Sequence, residues 1–202
     1  VQKNSIGLLV DQSNNIRVHD SIFNESLGDA VSLRNSQNIY LEENTASNSD
    51  DGINLLSVSN SHFVKNNILN NDFHIVISGT SSNNNITENT LTSYLGNLGY
   101  PFWISTYLVQ DTLIYRNNFI LPIGVNGYPI DRGTNTQWTV NGDGNYWTHH
   151  LCINNNWDTR CENAYSIRFG YFDTAPFSIA NGWERPYPQI TVSTTTPQQG
   201  QP

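Results

Sequence analysis

The sequence predicts an all-β protein, a parallel β-solenoid of about 22–23 residues per turn followed by an aromatic-rich C-terminal cap. Three observations lead there. Short apolar segments return at a near-constant spacing. Each segment alternates apolar and polar residues, which marks a strand with one buried face. The composition is asparagine-rich and poor in charge: thirty of 202 residues are Asn, and only 13% are charged, against roughly 25% in ordinary domains.

The first strand of each repeat reads Gly7-Leu-Leu-Val10, Ala30-Val-Ser-Leu33, Gly52-Ile-Asn-Leu55 and His74-Ile-Val-Ile77, with starts 23, 22 and 22 residues apart. A second strand follows with the pattern apolar-x-x-polar-x-apolar. It runs through Val18, Ser21 and Phe23, then Leu41, Asn44 and Ala46, then Phe63, Asn66 and Ile68, then Ile86, Asn89 and Leu91. A fifth copy, Phe102-Trp-Ile104 with Ile114, Asn117 and Phe119, comes 27 to 28 residues on, implying a short insertion at Ser93–Tyr100 and Tyr107–Asp111. Strands this short form no sheet alone, but stacking each on its equivalent builds a narrow apolar core. Asn44, Asn66, Asn89 and Asn117 would then lie about 4.8 Å apart and form an amide ladder.

Repeats are expected over 1–121, a cap over 122–192 and a flexible linker over 193–202. Twelve of the 23 aromatics fall in the last 80 residues. Trp138, Tyr146, Trp147, Trp157, Tyr165, Phe169, Tyr171, Phe172, Phe177, Trp183 and Tyr187 are expected to be too large for the solenoid bore and to close its final rung. The chain starts inside a repeat, so the first rung is expected to need upstream repeats or a neighbouring copy of itself. A net charge of −8 disfavours nucleic acid and anionic membranes, and no apolar run reaches the roughly 18 residues of a membrane span.

The cadence of "SNNI", "SQNIYLEEN" and "NNNITENTL" resembles the repeats of the NosD-like, carbohydrate-binding and sugar-hydrolysis (CASH) family. That resemblance covers about residues 5 to 121 and implies a right-handed, single-stranded parallel β-helix of the pectin-lyase-like kind. "GNYW" at Gly144–Trp147, "FDTAPFSI" at Phe172–Ile179 and "RPYP" at Arg185–Pro188 resemble elements that follow such repeats in archaeal surface and secreted proteins. The acidic stretch that reads as a calcium loop in those proteins is replaced here by "CINNNWDTRCENAYS", so calcium is not expected at that place. The fold itself hosts lyases, hydrolases, adhesins and spacers.

Chemistry concentrates at the turn before the first strand of each repeat. Asp29, Asp50, Asp51 and Asp72 occupy the two positions preceding Ala30, Gly52 and His74, and adjacent rungs would bring them within about 5–10 Å. Three readings stand: ordinary turn residues, a divalent cation site for which calcium is the candidate, and paired carboxylates of an inverting glycosidase. The catalytic alternative uses Asp29, Asp51 and Asp72, and "SDDGI" resembles the double-aspartate segment of polygalacturonases. The metal alternative uses Asp50, Asp51, Asp72, His149 and His150. A lyase needs a converging base, but Arg34, Lys65 and Arg116 sit at different offsets. His19, His62 and His74 read as surface or turn residues.

Cys152 and Cys161 read as a disulfide, with a soft metal site at His149-His150-x-Cys152 as the alternative. Asn24 and Asn85 open N-glycosylation sequons. Together these features point to an extracellular or cell-surface structural module, as in a sheath, filament or S-layer, with polysaccharide contact, no resident cofactor and no membrane span in this chain. A polysaccharide-active hydrolase or lyase is the alternative, and a metal-binding surface protein the third reading.

Overall fold

The computed structural model of the chain describes residues 4–93, 100–122, 128–155 and 158–184. Each coil contributes three short strands rather than the two expected. The first coil holds β1 (Leu8–Asp11), β2 (Arg17–His19) and β3 (Ile22–Asn24), and the second β4 (Val31–Arg34), β5 (Tyr40–Glu42) and β6 (Thr45–Ser47). Then come β7 (Asp51–Leu56), β8 (His62–Val64), β9 (Asn67–Leu69), β10 (Phe73–Ser78), β11 (Asn85–Thr87) and β12 (Thr90–Thr92). The fifth coil holds β13 (Tyr100–Ile104), β14 (Leu113–Tyr115) and β15 (Asn118–Ile120). The pattern apolar-x-x-polar-x-apolar thus spans a corner: Asp20 takes a left-handed φ of 51° and breaks the strand in two.

These strands stack into three parallel sheets, ordered β1-β4-β7-β10-β13, β2-β5-β8-β11-β14 and β3-β6-β9-β12-β15. The result is a right-handed parallel β-solenoid. It continues past the boundary expected at 121. β16 (Ile130–Asp131) extends the first sheet on β13, and β17 (Tyr146–Trp147) extends the third on β15. β18 (Tyr165–Ile167) and β19 (Tyr171–Asp173) then form an antiparallel pair against the end of the stack.

Alternation sends one side chain in two inward. Ile53, Leu55, Phe63, Ile68, Ile75, Ile77, Ile86, Leu91, Phe102 and Phe119 are at most 2% exposed and stack in columns. Three residues expected to be too large for this bore, Trp138, Trp147 and Tyr165, pack into the core. Trp147 stacks on Phe119 at 4.0 Å with 4° between the rings, and Tyr165 stacks on Trp147 at 4.2 Å. Trp138 meets Phe102 edge-on at 5.3 Å. Face-to-face and edge-on packing of rings lets these large side chains share the core. Phe169 and Phe172 instead remain exposed, and Trp157, Tyr187, Arg185–Pro188 and the expected linker fall outside the described residues.

Asparagine serves two purposes. Asn15, Asn38, Asn60, Asn83 and Asn135 share one corner column with φ between 52° and 59°, a conformation that costs most L-residues about 1–2 kcal/mol and Asn less. The other set faces inward. Asn44 donates its backbone N–H and its Nδ2 to Asn66 Oδ1, Asn66 does the same to Asn89, Asn89 to Asn117 and Asn117 to Asn145. The Asn-to-Asn bonds all run toward the C-terminal end, while each Nδ2 also donates back to a carbonyl of the preceding coil, so the ladder's last member needs an acceptor from elsewhere in the chain.

Candidate functional site

The four turn aspartates do not form one column. β4 pairs with β7 so that Val31 faces Ile53, which places Asp29 over Asp51. β7 pairs with β10 so that Asp51 faces Phe73, and Phe73 in turn faces Tyr100. Asp50 and Asp72 occupy the neighbouring column and are exposed. The structure therefore separates Asp72 from the Asp29–Asp51 pair, because the 22-residue coil returns Phe73 to that row.

Asp51 is the electrostatic centre of this corner. Burial, reinforced by the charges of Asp29, Asp50 and Asp72, pushes its carboxyl from the ordinary 3.8 up to about 7, while a 2.7 Å hydrogen bond from Asn54 Nδ2 pulls the other way. Next to it lies a cluster that sequence reading missed. Phe73, Tyr100 and Trp103 are half-buried on the outer face of the first sheet. Their ring centroids stand 5.7 Å (Phe73–Tyr100), 5.0 Å (Phe73–Trp103) and 6.1 Å (Tyr100–Trp103) apart. Trp103 Nε1 is enclosed and donates to no group among the described residues. Placing Phe73 and Tyr100 in the row of Asp51 was possible from the 22- and 27-residue spacings; placing Trp103 against Phe73 was not.

The remaining candidates are dispersed. Among the described residues no three His, Cys, Asp or Glu side chains are arranged to hold a metal ion. Cys152 and Cys161 are joined by a disulfide with Cα atoms 5.2 Å apart, so the sulfur that a soft metal site would use is already bonded. His149 is exposed, and His150 Nε2 lies 2.9 Å from the Asn163 carbonyl oxygen with its ring edge-on to Tyr165. His74 corrects the expectation of a surface residue. It is fully buried in the inward column of Gly7, Ala30 and Gly52, 2.9 Å from the Thr92 carbonyl through Nε2, and burial lowers its pKa.

Lys65 and Arg116 share a single offset, contrary to the sequence reading. Both take the left-handed corner position also occupied by Glu43 and Glu88. Lys65 pairs with Glu43 at 3.9 Å, and Arg116 with Glu88 at 3.8 Å and with Asp143 at 2.6 Å. Their corner joins the second and third sheets, whereas the aspartates precede the first. Asn24 is exposed on β3 and accepts hydrogen bonds from Ser47 and Asn48. Asn85 is half-buried on β11, paired on both sides.

Sequence reading also missed Asp173, which is fully buried. Its Oδ2 accepts the Asn145 backbone N–H at 2.6 Å and the Trp147 indole N–H at 2.8 Å, and its Oδ1 accepts the Thr139 hydroxyl at 2.9 Å. The carboxylate belongs to the fold. It ends the asparagine ladder.

A family model described as a right-handed beta helix region matches residues 1–142 of the chain. No curated protein matches it.

Proposed function

Since the chain belongs to the right-handed beta helix family, we propose that it is an extracellular structural module that contacts polysaccharide through the outer face of its first sheet. The Phe73–Tyr100–Trp103 cluster beside Asp51 carries this reading. Ring faces pack against the apolar faces of sugars, while the neighbouring Asp51–Asn54 pair supplies hydrogen bonds. The disulfide is in keeping with an oxidising compartment. Asn24 is the more open of the two sequons for a glycan. The test is retention of the protein on a panel of insoluble and soluble polysaccharides. Trp103→Ala is expected to weaken retention about tenfold without lowering the unfolding temperature by more than a few degrees. Equal retention of both proteins on every glycan would refute the reading.

A second reading, cleavage of the bound polysaccharide, draws on Asp51 alone. A carboxyl titrating near 7 beside a second carboxylate can act as a general acid. Asp51→Asn would then abolish the release of new reducing or unsaturated ends, while the aromatic cluster still retains the variant on the polysaccharide. Absence of any such release by the unmutated protein across the panel excludes this reading and leaves the first standing.

A further inference from the structure

A groove of about 420 Å³ lies on a different side of the solenoid, where the corner after the first sheet meets the second. Its floor is one axial row, His62, Asn85, Leu113 and Gln137, each paired in register with the next. One wall is the left-handed corner column, where Asn83, Asp111 and Asn135 repeat at the spacing of the coil. Above the groove the same row continues as Tyr40, whose ring stands 5.6 Å from that of His62.

The chemistry of the lining is selective. Side-chain amides dominate it, and Asp111, its single carboxylate, already accepts a hydrogen bond from Asn135. The described residues lining the groove include no lysine or arginine to hold an anion. Amides offer a donor and an acceptor together, which matches neighbouring hydroxyls on one sugar ring. Asn85 Oδ1 is enclosed and accepts no hydrogen bond among the described residues, and Leu113 gives the apolar surface against which a sugar face packs. The volume suits a short oligosaccharide segment.

We propose that this groove is a second saccharide site, selective for neutral, hydroxyl-rich chains, so that one module bridges two glycan strands. The proposal rests on the polysaccharide reading for the class of ligand and on the groove alone for its place. It also requires Asn85 to be unmodified, because a glycan on that nitrogen would fill the groove.

The experiment is an amide-resolved NMR titration of the bacterially expressed chain with neutral gluco-, manno- and galacto-oligosaccharides, and with oligogalacturonate as the anionic comparison. Neutral oligosaccharides are expected to shift amides around both Gln137 and Trp103. Gln137→Ala and Asn135→Ala, both at exposed side chains, should weaken the groove response about tenfold and leave the Trp103 response unchanged. Trp103→Ala should do the reverse. Shifts confined to the Trp103 face would overturn the second site and leave the proposed function standing. A groove response stronger for oligogalacturonate than for every neutral sugar would overturn the ligand class. Silence at both places would overturn both.

Discussion

Asp173 Oδ2 accepts the backbone N–H of Asn145 at 2.6 Å, the position that an asparagine oxygen fills in each preceding coil of the ladder. The amide ladder runs from Asn44 to Asn145 with every Asn-to-Asn bond donated in the same direction, and a carboxylate, which only accepts when ionised, is the natural terminus. The same oxygen takes the indole N–H of Trp147 at 2.8 Å. Two sequence elements separated by some 25 residues, "GNYW" and "FDTAPF", are therefore the two halves of one contact. The Asn and Trp of the first bind the Asp of the second.

Replacing Asp173 tests this terminus. Asp173→Asn keeps an acceptor for Asn145 but sets an NH2 group among donors from Asn145, Trp147 and Thr139. The expected loss is about 2–3 kcal/mol in urea unfolding, the scale of a buried charge-assisted hydrogen bond left unmade. Ser166→Ala, at an exposed position on β18, should stay within about 0.5 kcal/mol.

Gly144 explains the first letter of "GNYW". A Cβ there would stand 1.9 Å from Asp173 Oδ1 and 2.6 Å from the Ala175 carbonyl oxygen. Gly144→Ala must push the carboxylate off the ladder, and a loss of about 3 kcal/mol or more is expected. Gly170→Ala, whose Cβ would meet nothing within 4 Å but whose φ is +91°, should lose only about 1 kcal/mol from backbone strain. Thermal unfolding of the two variants distinguishes steric from conformational cost.

The Asp51 carboxyl makes stability depend on pH in a defined direction. Its pKa is raised in the folded protein from 3.8 to about 7, so the folded state binds the proton more tightly than the unfolded chain does. The contribution is fully present below the unfolded value and is lost as pH rises through about 7. Unfolding temperatures measured from pH 5 to 9 should therefore fall more steeply for the natural protein than for Asp51→Asn. At the alkaline end the variant should be the more stable of the two. Parallel curves would show that Asp51 is ionised throughout.

The Cys152–Cys161 bridge closes a short loop. Its reduction should add two hydrogens to the mass and lower stability by about 2–3 kcal/mol. Because the loop lies outside the three sheets, far-ultraviolet circular dichroism of the reduced protein at low temperature should be unchanged. Loss of the β signal on reduction would contradict this placement.

Much of the fold was legible because a solenoid is built from near neighbours. The apolar period identified the coil, and the polar residue at a fixed offset, Asn44, Asn66, Asn89 and Asn117, identified the inward ladder before any contact was known. The reading stopped at Pro122 because the next coil is held by only two residues in β16 and two in β17, too few for a pattern. It assigned Trp138 and Trp147 to a separate cap because size alone says nothing of ring orientation. At the candidate site, Asp51 was found from its turn, whereas Trp103 was hidden as an outward residue of an ordinary strand.

What the sequence by itself determined is the repeat: its length, the alternation of inward and outward side chains, and the division of asparagine between corners and core. These follow from the local backbone period and from identical coils stacking on one another. Tertiary structure alone decided the rest. Asp173 reaches Asn145 only because the chain returns across the end of the stack, and Trp103 meets Phe73 only because a longer coil comes back into register. Contacts made between unlike segments leave no period in the sequence, and in this protein the ladder's terminus and the aromatic face are both of that kind.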